Sequence, residues 1–189
     1  IFNYSLINFK KTHNKNIFYK NVMIASTIHC IISSLMVLLF IFNFINKTYF
    51  RISIIYDIVY FAYDSYLYLT EKIPIKDRNV MLLHHSMLFI AAYYGFDDCY
   101  YYSRCLLCEI STIFLNLRWL SHKKVYFENH LLYSALLYIS FILFRIINIS
   151  LLVYEFYINN LLLYLYIASI FLILNIYWTY LLTLKALTI

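Results

Sequence analysis

The fourth apolar span of this chain runs from Tyr102 to Leu120 and reads YSRCLLCEISTIFLNLRWL. It is long enough to cross a bilayer, whose hydrocarbon core takes about 20 residues of helix. Glu109, Thr112 and Asn116 are spaced so that a helix presents them on one face. Polar side chains at membrane depth are costly unless they face a bundle interior, a partner or a water-lined cavity. The stretch therefore predicts one helix of a membrane bundle whose polar stripe faces inward.

The composition extends this prediction to the whole chain. Of the 189 residues, 64% are hydrophobic and 13% are charged, whereas soluble domains carry about 25% charged residues. We expect an all-α, polytopic bundle of about six transmembrane helices, formed by residues 22–189. The predicted spans are Val22 to Ile45, Ile52 to Thr70, Asn79 to Phe96, Tyr102 to Leu120, Leu131 to Ile149 and Leu161 to Leu182.

The distribution of basic residues predicts the orientation of the bundle. The net charge is +6, and with both termini in the cytosol most basic residues fall on the cytosolic side, as the positive-inside rule requires. They are Lys10, Lys11, Lys15, Lys20, Lys72, Lys76, Arg78, Arg118, Lys123, Lys124 and Lys185. Residues 1–21 form a basic cytosolic segment with no folded module around it, so we expect no nucleic-acid partner. Because the chain begins at Ile1 without an initiator Met, we expect an upstream part to be missing.

Four polar residues share one depth near the cytosolic side. At about 1.5 Å per residue, Asp64 lies roughly 9 Å from the cytosolic end of the second span, and His84 and His85 lie about 8 to 9 Å into the third. Asn116 lies about 6 Å from the cytosolic end of the fourth span. We expect Asp64, one of the two histidines and Asn116 to converge on a polar site at the base of an apolar cavity. Adjacent helical residues point about 100° apart, so only one histidine can face that cavity squarely, and the sequence does not choose between them.

Histidine transfers protons near neutral pH, and a neighbouring carboxylate fixes its tautomer and raises its basicity. Asp64 and one of His84 and His85 could thus form a general base for a hydroxyl or amine nucleophile, with an interhelical structural histidine pair as the alternative. No His-x-x-x-His or carboxylate cluster supplies further ligands, so no metal and no cofactor is expected. Cys105 and Cys108 have C-x-x-C spacing but read as reduced core residues.

Charged residues in the outer half of the spans suggest further contacts. Glu109 and Arg145 lie at depths that an arginine side chain can bridge, and each charge alone in hydrocarbon is costly. We therefore predict an ion pair or hydrogen-bonded contact between them. Asp57 lies on a face similar to that of Asp64, near the predicted outer mouth, with Arg104 or water as its expected partner.

Three ordered motifs follow one another along the spans: VYFAYD at Val59 to Asp64, Leu83-His84-His85, and CEISTIFLNLRW at Cys108 to Trp119. They resemble motifs of the TLC domain, a lipid-handling membrane family that includes the ceramide synthases. The first resembles the family's YFxYD signature, the second supplies its expected histidine pair, and the third resembles the E-x-S-T-x-F-x-N-x-R-W block of the TLC domain-containing subgroup. Phe144-Arg145-Ile146 is similar to that subgroup's fifth-span motif. The resemblance runs from about Lys20 to the C-terminus.

The chain also departs from the ceramide synthases. Where their fourth span reads like L-L-H-D-x-S-D-I-F-L-E, this chain has Cys108 for the histidine, Glu109 and Thr112 for the two aspartates and Asn116 for the glutamate. Half of the presumed catalytic set is therefore missing, and the chain is most similar to the TLC domain-containing subgroup.

The resemblance implies a bundle around a lipid-accessible cavity in the endoplasmic reticulum or another endomembrane. Our first hypothesis is a protein of lipid homeostasis that binds or regulates membrane lipids. Its expected lipid-binding residues are Asp64, His84, His85, Glu109, Thr112, Asn116 and Arg145.

Two other functions remain open. An acyltransferase would use His84, His85 and Asp64 as catalytic residues, with acyl-CoA and a sphingoid base as substrates. It would need a cytosolic opening ringed by basic residues, for which Lys72, Lys76, Arg78, Lys123 and Lys124 are the candidates. A structural membrane subunit would have a tightly packed interior and no ligand. The lipid, the reaction and the oligomeric state do not follow from the sequence.

Overall fold

The computed structural model describes residues 2–70, 78–122 and 129–187, with side chains from residue 17 to residue 184 of those ranges. The described residues form helices joined by short connections, and they contain no strand. The helices are α1 (Phe2–Ile41), α2 (Lys47–Leu69), α3 (Arg78–Gly95), α4 (Cys99–Leu106), α5 (Glu109–His122), α6 (His130–Phe141), α7 (Asn148–Ile158) and α8 (Leu162–Leu187). A π-helical segment, Ile142–Ile147, joins α6 to α7.

These elements make up six rods, as the sequence predicted. The fourth rod is α4 followed by α5, with an interruption at Leu107 and Cys108, and the fifth is α6, the π segment and α7 in one line. In the described part of the chain, three rods are long and apolar enough to cross a membrane by length and composition: Ile17–Ile41, His130–Ile158 and Leu162–Leu184. The all-helical, multi-span class is thereby confirmed. The orientation relative to the cytosol stays a prediction.

The fifth rod is longer than predicted. Its helix continues to Ile158, although the sequence analysis ended the span at Ile149. Asn148, one residue before the predicted end, lies inside the bundle, where its amide nitrogen donates to the Arg104 carbonyl at 2.8 Å and its Oδ1 accepts from Arg104 Nε at 3.0 Å. The helix continues past this buried amide to Ile158, and Arg145 therefore lies near the middle of the fifth rod.

Burial separates an inner surface from an outer one. Fully buried side chains such as Phe50, Ile54, Leu106 and Leu152 form the core between the rods. Many large apolar side chains are exposed on the outside, as expected when lipid rather than water surrounds the bundle. The buried polar residues therefore face one another across the interior, and it is there that a site can form.

Gly95 sets a close approach at the end of α3. A Cβ atom added at this position would lie 2.6 Å from the Cβ of Tyr102 on α4. Since real Cβ atoms do not come that near to another side chain, only glycine lets α3 meet α4 here. This contact holds the ring of Tyr102, which is 1% exposed, against the interior.

Candidate functional site

The adjacent histidines of α3 are both buried and point to different helices. His85 faces α2, where its Nε2 lies 3.5 Å from Asp64 Oδ2 and its Nδ1 lies 3.0 Å from Ser65 Oγ. Tyr68 of α2 interacts with the same Asp64 carboxylate. The expected meeting of Asp64 with one histidine therefore occurs, and His85 is that histidine.

His84 faces α8 instead. Its ring stacks on Phe171 with centroids 5.1 Å apart, and Trp178 meets it edge-on at 5.3 Å. Its Nδ1 is buried without a hydrogen-bond partner among the described residues. The helical rotation between neighbours thus gives the two imidazoles different roles: His85 is held by polar groups, whereas His84 lies among aromatic rings with one nitrogen unpaired.

Arg145 forms hydrogen bonds with two hydroxyl groups of the fourth rod and with one amide of α8. It projects inward from the π segment, and its three nitrogens donate to Ser111 Oγ at 2.6 Å, Thr112 Oγ1 at 2.7 Å and Asn175 Oδ1 at 3.3 Å. The guanidinium also lies 5.7 Å from the Trp178 ring centroid. One buried cation therefore ties α5 and α8 to the fifth rod. A π turn at this place is consistent with a functional position, because such turns are frequent at functional sites.

The predicted contact between Glu109 and Arg145 is wrong. Glu109 lies at the start of α5, where its Oε2 accepts a hydrogen bond from the Cys30 thiol of α1 at 3.1 Å. No ion pair joins it to Arg145 in the described part of the chain. Because the fifth rod is longer than predicted, Arg145 lies deeper than its sequence position suggested, and the neighbouring hydroxyl and amide groups already accept its hydrogen bonds.

Asn116 also has a partner that the sequence did not indicate. Its amide nitrogen donates to Ser26 Oγ of α1 at 3.0 Å, so its hydrogen bond links α5 to α1 rather than to a histidine. Of the predicted site residues, the structure pairs Asp64 with His85 and Thr112 with Arg145. Their part in binding or catalysis stays a prediction.

Sequence reasoning missed His29 on α1, which is 1% exposed. Its Nε2 lies 3.7 Å from Asp57 Oδ1, and its ring stacks on Tyr60 with centroids 3.6 Å apart. Asp57 thus faces His29 rather than Arg104, whose NH1 instead donates to Glu155 Oε2 at 3.2 Å. The signal that could have identified His29 is its position as the single histidine of the first apolar span, Val22 to Ile45.

An apolar crevice opens between α3, α4, α7 and α8. It is narrow, with a cavity volume of only about 30 Å³ between the packed side chains. Its lining is almost wholly aliphatic and aromatic: Met87, Leu88, Ala91, Tyr94, Gly95, Tyr101, Tyr102, Cys105, Ile149, Leu152, Phe156, Tyr164, Ile167, Ala168 and Phe171. Two of these side chains also lie near polar residues, since Phe171 stacks on His84 and the Tyr102 hydroxyl is within electrostatic range of Asp57. The crevice therefore ends one aromatic layer away from the buried polar groups.

Most of the basic residues that were expected to ring a cytosolic opening lie outside the residues that the structure describes. They are Lys72, Lys76, Lys123 and Lys124. In residues 17–70, 78–122 and 129–184, no three His, Cys, Asp or Glu side chains are grouped as metal ligands would be. The arrangement offers an apolar slot, an imidazole held between a carboxylate and a hydroxyl, and a buried guanidinium.

Comparison with known proteins gives one match. A family model described as the TLC domain matches residues 20–184, which is most of the chain. No curated protein and no solved structure matches the chain.

Proposed function

Since the chain belongs to the TLC-domain family of multi-span membrane proteins, which is associated with lipid metabolism or sensing, we propose that it binds a membrane lipid in the interior of the bundle. The hydrocarbon chain of the lipid lies in the apolar crevice, and its polar end approaches the buried polar groups behind Phe171 and Tyr102. The protein then contributes to lipid homeostasis in the endoplasmic reticulum or another endomembrane.

The crevice is the observation that carries this proposal. Ligand sites are concave, mostly apolar and supplied with a few placed polar groups. The aliphatic and aromatic lining suits a single acyl or alkyl chain by its chemistry, and the helices that line the narrow slot must move apart to admit one. A structural subunit without ligand has no use for such a slot beside unpaired buried polar atoms.

The residues expected to bind lipid stand at different distances from the crevice. His84 is nearest, because its ring stacks directly on Phe171, which lines the crevice. Arg145 comes next, since it shares Trp178 with His84. Asp64, His85, Glu109, Thr112 and Asn116 then act as supports that hold the polar interior in place.

Filling the crevice tests the proposal. Ala168→Phe places a ring in the slot, whereas Ala62→Phe places the same ring on an exposed position of α2 and is the matched control. Native mass spectrometry and lipid analysis of the purified proteins should find a co-purifying lipid in the wild type and the control. The Ala168→Phe protein should hold at least tenfold less. Equal lipid content in the two variants, or none in the wild type, would refute binding in the crevice.

Acyl transfer is the second candidate function. It is favoured by one observation, the His85 imidazole between Asp64 and the Ser65 hydroxyl, because a general base needs an orienting carboxylate and a hydroxyl within reach. Incubation with labelled acyl-CoA and an amine or hydroxyl acceptor should then give a labelled product, which His85→Ala abolishes. If the wild type transfers no label to any such acceptor, the enzyme function is ruled out and lipid binding remains.

A further inference from the structure

A second polar cluster lies apart from the histidine pair of α3. It consists of His29 and Ser33 of α1, Asp57 of α2 and Tyr102 of α4, each at most 1% exposed. Both ring nitrogens of His29, both carboxylate oxygens of Asp57 and the hydroxyls of Ser33 and Tyr102 are buried without a hydrogen bond of good geometry among the described residues, although Ser33 lies close enough to Asp57 to interact with it. Buried polar atoms are nearly always hydrogen-bonded, and leaving one unpaired costs about 1–3 kcal/mol. So many unpaired atoms in one place point to a binding site.

The geometry of the central pair indicates the size of the missing group. His29 Nε2 and Asp57 Oδ1 are 3.7 Å apart, which is too far for a direct hydrogen bond. One oxygen atom at about 2.8 Å from each would bridge them. Ser33 interacts with the same carboxylate, and the Tyr102 hydroxyl lies within electrostatic range of it. The cluster therefore offers several bonding partners to one small polar group.

The donors and acceptors of the cluster indicate its chemistry. An ionised carboxylate only accepts and a protonated one also donates, whereas a neutral imidazole and the two hydroxyls both donate and accept. A hydroxyl group can therefore donate to Asp57 and accept from His29 or Tyr102 at the same time. A carboxylate, phosphate or ammonium group carries a full charge, which is costly to bury among residues that are at most 1% exposed, whereas a hydroxyl group is neutral.

Tyr102 connects this cluster with the crevice. Its ring lines the apolar slot, while its buried hydroxyl lies within electrostatic range of Asp57. A molecule whose chain occupies the slot thus has the polar cluster behind one side chain. Gly95 supports this arrangement, because the close packing of α3 on Tyr102 fixes where the ring stands.

We propose that His29, Ser33, Asp57 and Tyr102 form the polar end of the lipid site and bind the hydroxyl group of a neutral hydroxylated lipid. This inference rests on the proposed lipid binding and adds the class of ligand. It makes Tyr102 the residue that contacts both parts of the ligand.

A matched set of amphiphiles tests the proposal. The purified full chain in lipid nanodiscs is offered a long-chain alcohol, the amine and the carboxylic acid of the same chain length, and retained ligand is counted by native mass spectrometry. The alcohol should be retained at least tenfold better than the acid and better than the amine. Asp57→Leu should lower alcohol retention at least tenfold. Asp97→Leu is the control, because that carboxylate is almost fully exposed, at 97% of its side chain.

A milder variant covers the case in which Asp57→Leu does not fold. Tyr102→Phe keeps the ring in the crevice and removes only the hydroxyl, so alcohol retention should fall about threefold to tenfold while the acid is unaffected. Several outcomes would overturn the proposal. They are preference for the amine or the acid, equal alcohol retention in wild type, Asp57→Leu and Tyr102→Phe, or a cluster bridged by water only with no alcohol retained. Loss of retention in Ala168→Phe together with full retention in Asp57→Leu would reject this inference and leave the proposed lipid binding intact.

Discussion

Replacement of Arg145 by lysine should destabilise the bundle more than replacement by methionine. The Arg145 guanidinium bonds Ser111, Thr112 and Asn175 with three different nitrogens and lies 4.9 Å from the Phe141 ring centroid. A lysine ammonium keeps the charge, but its single nitrogen cannot reach acceptors on α5 and α8 together. At least one of the three hydrogen bonds is then lost while a charge stays buried.

The magnitude follows from these contacts. A hydrogen bond between membrane helices contributes about 0.6–1.7 kcal/mol, and a cation–π contact about 0.5–1 kcal/mol. Arg145→Lys, which loses one or two of these bonds and the cation–π contact, should therefore lower the free energy of unfolding by about 1–4 kcal/mol. Arg145→Met loses all three bonds but also removes the buried charge, whose desolvation offsets much of that loss, so its effect should be about 1 kcal/mol or less.

Unfolding by sodium dodecyl sulfate in mixed micelles, followed by circular dichroism, measures these differences. Arg51→Lys is the control, because Arg51 lies at the surface, where its Nε donates to the Phe96 carbonyl, and its effect should stay within about 0.5 kcal/mol. If Arg145→Lys is as stable as the wild type, or if Arg145→Met is the less stable of the two, then the three-way guanidinium contact is not what holds these rods together.

Two further predictions concern packing and a buried thiol. Gly95→Ala should lower the free energy of unfolding by about 1–3 kcal/mol, since its methyl group would lie 2.6 Å from the Tyr102 Cβ; an unchanged thermal midpoint would mean that α3 can move away from α4 at no cost. Cys30→Val should be about 1–3 kcal/mol less stable than Cys30→Ser, because serine can still donate to the Glu109 carboxylate that the Cys30 thiol bonds at 3.1 Å, whereas valine leaves it without that donor. Equal stability of the two variants in the same unfolding assay would show that this hydrogen bond contributes nothing.

Much of the architecture could be read from hydropathy alone. Spans of about 20 apolar residues predict helices because the backbone in lipid must bond within its own segment. The same reasoning predicted that Glu109, Thr112 and Asn116 would be shielded from lipid, and the structure has Glu109 and Asn116 buried in the interior, with Thr112 bonded there to Arg145. It did not predict the full length of the fifth rod, whose helix continues to Ile158 past Asn148, a polar residue that is buried in the interior.

The pairings of the candidate site were less predictable. Asp64 and a histidine were expected to meet from their shared depth, and the structure pairs Asp64 with His85. Depth alone could not predict that His29 meets Asp57, nor that Arg145 bonds hydroxyl groups in place of Glu109. Such contacts depend on the rotation of each helix about its own axis, which the one-residue step of the π segment alters locally.

The sequence by itself determined that this chain is a helical membrane bundle with polar groups directed inward, because the cost of placing backbone and charge in hydrocarbon acts on each segment separately. Only the tertiary structure decided which polar groups meet, where the apolar crevice lies, and that Phe171 and Tyr102 separate it from them. Those features arise where several rods pack together. They depend on the rotation and spacing of neighbouring helices, which the hydropathy of a single segment does not fix.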